Sequence, residues 1–140
     1  VFDAAVLDGK LIEKIDRVLV DAPCTGFGII RRKPDIKWSK NSEDKAEIVS
    51  LQHKILSTAS KYVKDGGVLV YSTCTLEPEE NEKAVERFIE ENKDFYLEDI
   101  TEFLPDALRK ESAGKGYIQL YPNIDGIDGF FIARMRKRSK

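Results

Sequence analysis

The chain has 140 residues, of which 41% are hydrophobic and 34% charged, and its 23 Lys and Arg against 25 Asp and Glu give a net charge of −2. With two cysteines, no secretory signal and no apolar run near the roughly 20 residues of a membrane span, these numbers predict one globular domain in a reducing cytoplasm. A chain so close to neutral is not a general polyanion binder, so any nucleic-acid site must be a local basic patch.

A short strand is predicted at residues 18–21, because a β-branched and aliphatic run is bounded there by charged residues. Pro23 prevents further strand pairing, and two glycines that follow allow a tight turn. The Asp21 carboxylate and the Cys24 thiol are therefore expected on a turn at the carboxyl end of a strand. In open α/β sheets, ligands bind at that edge.

The second thiol has a similar setting fifty residues later. A helix is predicted from Ser42, a candidate N-cap, to about residue 64, and Gly66 is placed to end it. A continuous apolar run at residues 68–72 then predicts a buried strand that leads into Cys74. If the two strands are adjacent and parallel, both sulfurs lie at the same edge of the sheet.

The flanking segments complete an α/β order with a parallel crossover. A closing β-hairpin is expected within residues 117–135. The segments are a strand end and turn at Val1–Leu7, a connector at 10–16, a helix with Pro78 in its first turn, a strand at 95–100, a loop or short helix at 104–116, an extended segment at 117–121, a strand at 129–135 and a basic tail at 134–140.

The residues alone leave plainer interpretations open for each candidate. Most free cysteines are small buried hydrophobes, and Cys24 and Cys74 fit that description. Asp21 could be a turn residue that caps the amide of Thr25 or Gly26. The lone histidine, His53, falls mid-helix, so neither a zinc site nor a cysteine–histidine dyad is supported.

A basic segment follows the first thiol and contains the only tryptophan of the chain. Such a run is most often a solvated surface. The nearby aromatic ring favours RNA binding, because unpaired bases stack on aromatic rings while Lys and Arg contact phosphates. The candidate RNA-binding residues are Arg31, Arg32, Lys33, Lys37 and Trp38.

Several of these stretches together resemble the RNA cytosine carbon-5 methyltransferases. Asp21–Gly28 and Ser72–Thr75 are similar to the two signature cysteine motifs of that family. Residues 31–38 resemble its Sun/Fmu (RsmB-like) branch, which methylates small-subunit ribosomal RNA in bacteria, and Pro78–Asn81 and Asp128–Phe131 match as well. The resemblance implies the C-terminal part of a Rossmann-like methyltransferase domain that uses S-adenosylmethionine, occupying residues 1–140.

The resemblance also implies a role for each residue. Cys74 matches the nucleophile that adds to carbon 6 of cytosine, and Cys24 matches the cysteine that assists loss of the carbon 5 proton and enzyme release. Asp21 matches the acid that holds or protonates ring nitrogen 3. The cofactor contacts implied are Asp3, Asp21 and Pro23, with no metal and no membrane partner.

The family's glycine-rich cofactor loop lies upstream of the residue that matches Asp3, so this sequence is expected to be a fragment, natural or cloned. We expect its missing N-terminal half to dock beside strand 18–21, and we expect the fragment alone to bind cofactor weakly and to be inactive. Two alternatives are a non-catalytic RNA-binding or assembly module and a thiol redox protein. The wide separation of the cysteines disfavours the second alternative.

Overall fold

The computed structural model describes residues 3–39 and 42–139. Within those residues the chain alternates strands and helices, as the sequence predicts. The strands are β1 (Ile15–Asp21), β2 (Val63–Thr73), β3 (Phe95–Leu97), β4 (Tyr117–Leu120) and β5 (Phe130–Lys137). The helices are α1 (Ile36–Ser39), α2 (Ser42–Ser60), α3 (Glu82–Glu91), α4 (Glu111–Gly114) and α5 (Pro122–Asp125), with 3-10 turns at Phe27–Ile29, Thr101–Phe103 and Asp106–Leu108.

The strands form one mixed sheet in the order β1-β2-β5-β3, with β4 also paired to β5. β1 and β2 are adjacent and parallel, with Val18 opposite Leu69 and Asp21 opposite Ser72. The other pairings are antiparallel, and β4 and β5 make the closing hairpin. The predicted parallel crossover and hairpin are both confirmed. The carboxyl ends of β1 and β2 lie together, as do the two loops that follow them.

Helices α2 and α3 pack on one face of this sheet. The core between the layers includes Leu56 of α2, Val85 and Phe88 of α3, and Tyr71 and Phe131 of the sheet, all at most 1% exposed. Burial of this apolar surface is the main stabilising contribution to the layer packing. A smaller cluster around Ile118 and Ala113 lies under the loops of the C-terminal half.

Two predicted helix boundaries are wrong. α2 ends at Ser60 rather than near residue 64, because Tyr62 and Val63 turn into the sheet, where the Tyr62 carbonyl accepts a bond from Ile15 N–H at 2.9 Å. Gly66 does not end the helix. It lies inside β2 with a φ of 72°, in the left-handed region that glycine tolerates. The candidate cap at Ser42 involves a side chain outside the described part of the chain.

The second helix also begins later than Pro78. Residues 78–81 form successive turns and α3 starts at Glu82, because Glu80 and Asn81 turn inward to bind the cysteine loops. The predicted basic tail is wrong in part. Arg134 and Arg136 lie in β5, and their guanidinium groups bond to Glu98 at 2.5 and 2.6 Å.

β1 is an edge strand, since no strand among residues 3–39 and 42–139 pairs with its outer side. Leu19 in this strand is 68% exposed. β1 therefore has an open edge and an exposed apolar side chain beside residues 18–21, and an unpaired strand edge of this kind can receive another strand. In the described residues, no helix has the length and apolarity needed to cross a membrane.

Candidate active site

The structure brings the two cysteines together at the carboxyl ends of β1 and β2. The sulfur of Cys24 lies 3.2 Å from the sulfur of Cys74, although fifty residues separate them in sequence. Both thiols are free and half-buried. The parallel register of β1 and β2 produces this contact, because each cysteine follows its strand by one to three residues. The prediction that both sulfurs lie at the same edge of the sheet is confirmed.

The environment of Cys24 favours its neutral form. Burial raises the pKa of the Cys24 thiol to about 12, and the hydrogen bond with Cys74 adds to the shift. Cys24 therefore keeps its proton at neutral pH. A thiol is a poor nucleophile in that state, and a positioned S–H can donate a proton or a hydrogen bond to the neighbouring sulfur.

Two glycines let three loops meet at the cysteines. Gly28 N–H donates to the Cys74 carbonyl at 3.0 Å, and Gly129 N–H donates to the Gly28 carbonyl at 2.8 Å. A Cβ added at Gly28 would lie 2.1 Å from the Gly129 oxygen and 2.8 Å from the Cys74 oxygen. Only a residue without a side chain permits this approach. The backbone of residues 128–129 is therefore a third component of the site, beside the two cysteine loops.

Asp21 lies at the end of β1 with an exposed carboxylate that accepts a bond from the Ser72 hydroxyl at 3.0 Å. The Thr25 amide, which the turn-cap interpretation assigned to Asp21, donates instead to Glu80. A groove of about 260 Å³ runs along β1 past Asp21 and Pro23 to Ala4. Asp3 precedes Ala4 in a turn, where its carboxylate accepts the Ala5 N–H at 2.8 Å.

Beneath the thiols lies a buried polar cluster. The Glu80 side chain is 1% exposed and accepts bonds from Thr25 N–H at 2.9 Å, from the Thr25 hydroxyl at 2.6 Å and from the Gln52 amide at 2.9 Å. The Thr25 and Thr75 hydroxyls bond to each other at 2.8 Å. Each of these threonines directly follows a cysteine, so the cluster joins the two loops.

Asn81 holds the second loop from both sides of Cys74. Its side-chain oxygen accepts the Thr73 hydroxyl at 2.5 Å, and its amide donates to the Thr75 carbonyl at 3.0 Å and to Gln119 at 2.7 Å. The local sequence pattern places residues 78–81 in the first turn of a helix and indicates no separate role for Glu80 or Asn81. The only signal for them was the family match at residues 78–81.

The basic segment lies at the same edge of the sheet. Arg31 and Arg32 both pair with the carboxylate of Asp128, the neighbour of Gly129, while 48% and 70% of their side chains remain exposed. Lys33 is exposed. Lys37 lies over the ring of Trp38 at 5.0 Å, and Trp38 itself is 82% exposed. Since a single carboxylate faces two guanidinium groups, positive charge remains available to a ligand. The exposed Trp38 ring is available as well.

His53 lies away from the thiols, paired with Glu91 of α3 at 3.0 Å. No group of three or more His, Cys, Asp or Glu residues that could hold a metal ion occurs in the part of the chain that the structure describes.

Comparison with known proteins identifies the family. Residues 2–136 match the family described as 16S rRNA methyltransferase RsmB/F. The chain belongs to this family. The Probable ribosomal RNA small subunit methyltransferase B of Bacillus subtilis is 46% identical over 127 residues, which are 90% of this chain and 28% of that protein. The Ribosomal RNA small subunit methyltransferase F of Aliivibrio fischeri is 40% identical, over 99% of this chain and 29% of its own length.

A solved structure has the same fold. The crystal structure of NSun6 from Pyrococcus horikoshii with SFG superposes with a TM-score of 0.77 at 34% identity, covering 99% of this chain and 34% of that one. The RsmB/F chain described here therefore has the fold of part of a methyltransferase domain, as the sequence predicts. It spans under a third of the length of these curated relatives.

Proposed function

We propose that this RsmB/F family chain is the C-terminal part of the catalytic domain of an enzyme that transfers a methyl group from S-adenosylmethionine to carbon 5 of a cytosine in small-subunit rRNA. The observation that carries the proposal is the 3.2 Å contact between Cys24 and Cys74 at the carboxyl edge of the parallel strand pair. The names of the relatives support the rRNA substrate, and the 3.2 Å contact supports a reaction that uses two thiols.

In the proposed reaction, the Cys74 thiolate forms a bond to carbon 6 of cytosine. The electrons of the 5,6 double bond then move to carbon 5, while Asp21 holds or protonates ring nitrogen 3. Carbon 5 would take the methyl group that S-adenosylmethionine supplies, leaving S-adenosylhomocysteine. The carbon 5 proton is then lost to solvent, which restores the double bond as the Cys74–carbon 6 bond breaks, and Cys24 assists this release. The raised pKa of Cys24 disfavours it as the attacking group at neutral pH, and its neutral S–H can donate a hydrogen bond to the departing Cys74 sulfur.

The cofactor supplies an electrophilic methyl group. NSun6, which shares this fold, was crystallised with SFG, an S-adenosylmethionine analogue. In this chain Asp21, Pro23 and Ala4 line the groove along β1, and Asp3 directly precedes Ala4 in sequence. The exposed Asp21 carboxylate can accept hydrogen bonds from a ligand, and the apolar lining suits an adenine ring. The residues present therefore fit one side of the cofactor.

The RNA contacts are proposed for the basic segment. A target base must be unstacked before a thiol can reach its carbon 6. Trp38 offers an open ring on which a neighbouring base can stack, and Arg31, Arg32, Lys33 and Lys37 offer phosphate contacts.

The experiment uses the full-length gene product, S-adenosylmethionine and transcripts of small-subunit rRNA. We expect wild type to form 5-methylcytosine, measured by nucleoside mass spectrometry. Cys74→Ala should form neither product nor a covalent complex, because it lacks the nucleophile. Cys24→Ala should transfer the methyl group but fail to release, so a protein–RNA adduct should accumulate on denaturing gels.

The two cysteine variants are matched controls for each other. A trapped adduct with Cys74→Ala and none with Cys24→Ala would reverse the two roles. RNA binding without any 5-methylcytosine would instead favour the non-catalytic module and overturn the proposal.

A further inference from the structure

The buried cluster below the thiols connects both catalytic loops through one carboxylate. We infer that Glu80 is a positioning residue, which fixes the Cys24 thiol against the Cys74 thiol through the hydroxyls of Thr25 and Thr75. The inference rests on the proposed function, because the alignment of the two thiols matters to the reaction. Glu80 itself is not assigned a contact with substrate.

The hydrogen-bond directions are set by the chemistry of the groups. The Thr25 hydroxyl has one proton, and its 2.6 Å bond to the Glu80 carboxylate requires it to donate there. It must therefore accept the proton of the Thr75 hydroxyl, 2.8 Å away. The result is a directed chain from Thr75 through Thr25 to Glu80. Hydrogen bonds to a carboxylate are stronger than those between neutral groups, so this series of bonds fixes the two cysteine loops relative to each other.

The remaining Glu80 oxygen adds rigidity to the first loop. It accepts the Thr25 backbone N–H at 2.9 Å and the Gln52 amide at 2.9 Å, and that same amide donates to the Pro23 carbonyl at 2.8 Å. Cys24 is therefore held on both sides, by a contact at Pro23 and another at Thr25. The two bonds to Glu80 are buried, so breaking either one leaves an unpaired polar group in the core.

The second loop is attached to the same turn. Tyr71 donates its hydroxyl proton to the Glu80 carbonyl at 2.8 Å, and the adjacent Asn81 bonds to the residues on either side of Cys74. The turn that carries Glu80 and Asn81 thus contacts the strand before Cys74 and both neighbours of that thiol. Helix α3 begins at Glu82 rather than near Pro78 because the side chains of Glu80 and Asn81 face inward.

The inference is tested by measuring how readily the Cys24 and Cys74 thiols form a disulfide with each other. In glutathione buffers, one thiolate of the protein attacks oxidised glutathione and releases reduced glutathione, and the second thiolate then displaces the other glutathione. Two thiols become one Cys24–Cys74 disulfide, and one glutathione disulfide becomes two reduced glutathiones. The equilibrium gives the effective concentration of one thiol at the other, which depends on how closely they are held.

The variants are made in the full-length gene product. Thr25→Val keeps the side-chain shape but removes the hydroxyl, so we expect the effective concentration and kcat for methylation each to fall on the order of 10- to 100-fold, the size of effect expected when oriented groups move by about 1 Å. KM for RNA should change little. Thr25→Ser, which keeps the hydroxyl, should restore most of both losses.

Glu80→Ala should behave like Thr25→Val. Glu79→Ala is its matched control, since Glu79 is the exposed neighbour that pairs only with Lys83 among the described contacts. If Thr25→Val or Glu80→Ala does not fold, Thr75→Val carries the test, because it removes the link between the two loops and a long 3.4 Å bond from Glu77 N–H but leaves the Thr25–Glu80 bonds in place. Circular dichroism and a melting curve establish folding for every variant.

The outcomes separate the two proposals. An unchanged effective concentration in the folded Thr25→Val and Thr75→Val variants would overturn the positioning role, whatever the methylation rate. A lower effective concentration with an unchanged kcat would overturn it as a device for the reaction. Absence of methylation in wild type, with a lower effective concentration in the variants, would overturn the proposed function and leave the positioning of the thiols standing.

Discussion

The contact between Gly28 and Gly129 gives a sharp test of the site, through the substitution Gly28→Ala. The new Cβ would lie 2.1 Å from the Gly129 oxygen, 2.7 Å from its carbonyl carbon and 2.8 Å from the Cys74 oxygen. Carbon–oxygen contacts normally lie at about 3.3 Å or more, so the loops must separate by about 1 Å. All three atoms belong to backbone, which cannot rotate away as a flexible side chain can.

Overpacking of this kind costs about 1–3 kcal/mol, and we expect the free energy of unfolding of Gly28→Ala to fall by that amount. A displacement of about 1 Å at an oriented reacting group can also lower kcat on the order of 100-fold. Gly114→Ala is the control, since a Cβ there meets no atom within 4 Å. Urea denaturation and methylation assays of the full-length gene product measure both effects. Equal midpoints and rates for the two variants would refute this account.

Two further predictions concern the thiol and the basic segment. With a pKa near 12 instead of the ordinary 9.0, Cys24 should react with iodoacetamide at pH 8 on the order of 100- to 1,000-fold more slowly than an ordinary thiol. Its alkylation rate, measured by peptide mass mapping, should keep rising above pH 9. A rate that reaches a plateau near pH 9 would contradict this prediction. Arg31→Ala should reduce the salt slope of RNA binding by roughly one unit, and Arg87→Ala on α3 should not. Equal slopes would remove Arg31 from the interface.

Much of the site could be predicted from local pattern. A strand that ends in a polar turn is a short-range signal. Pro23, Gly26 and Gly28 mark such a turn around Cys24, and the polar residues 72–75 mark the end of the strand at Cys74. The helix between the two strands favours their parallel pairing, because a parallel connection requires a crossover of that length. The sequence by itself therefore determined that each thiol follows the carboxyl end of a strand, and adjacent parallel strands bring those two ends to one edge of the sheet.

Only the tertiary structure decided which polar residues support the thiols. Glu79 and Glu80 are identical in type and adjacent in sequence, yet one is exposed and the other is 1% exposed beneath the cysteines. The sequence of residues 78–81 suits the first turn of a helix as well as it suits the turns that the structure shows, so the local pattern favoured the wrong start for α3. Burial of Glu80 depends on donors from Thr25 and Gln52, which lie 55 and 28 residues away in sequence. No local propensity carries that information, because the carboxylate is stable in the core only when those distant donors surround it.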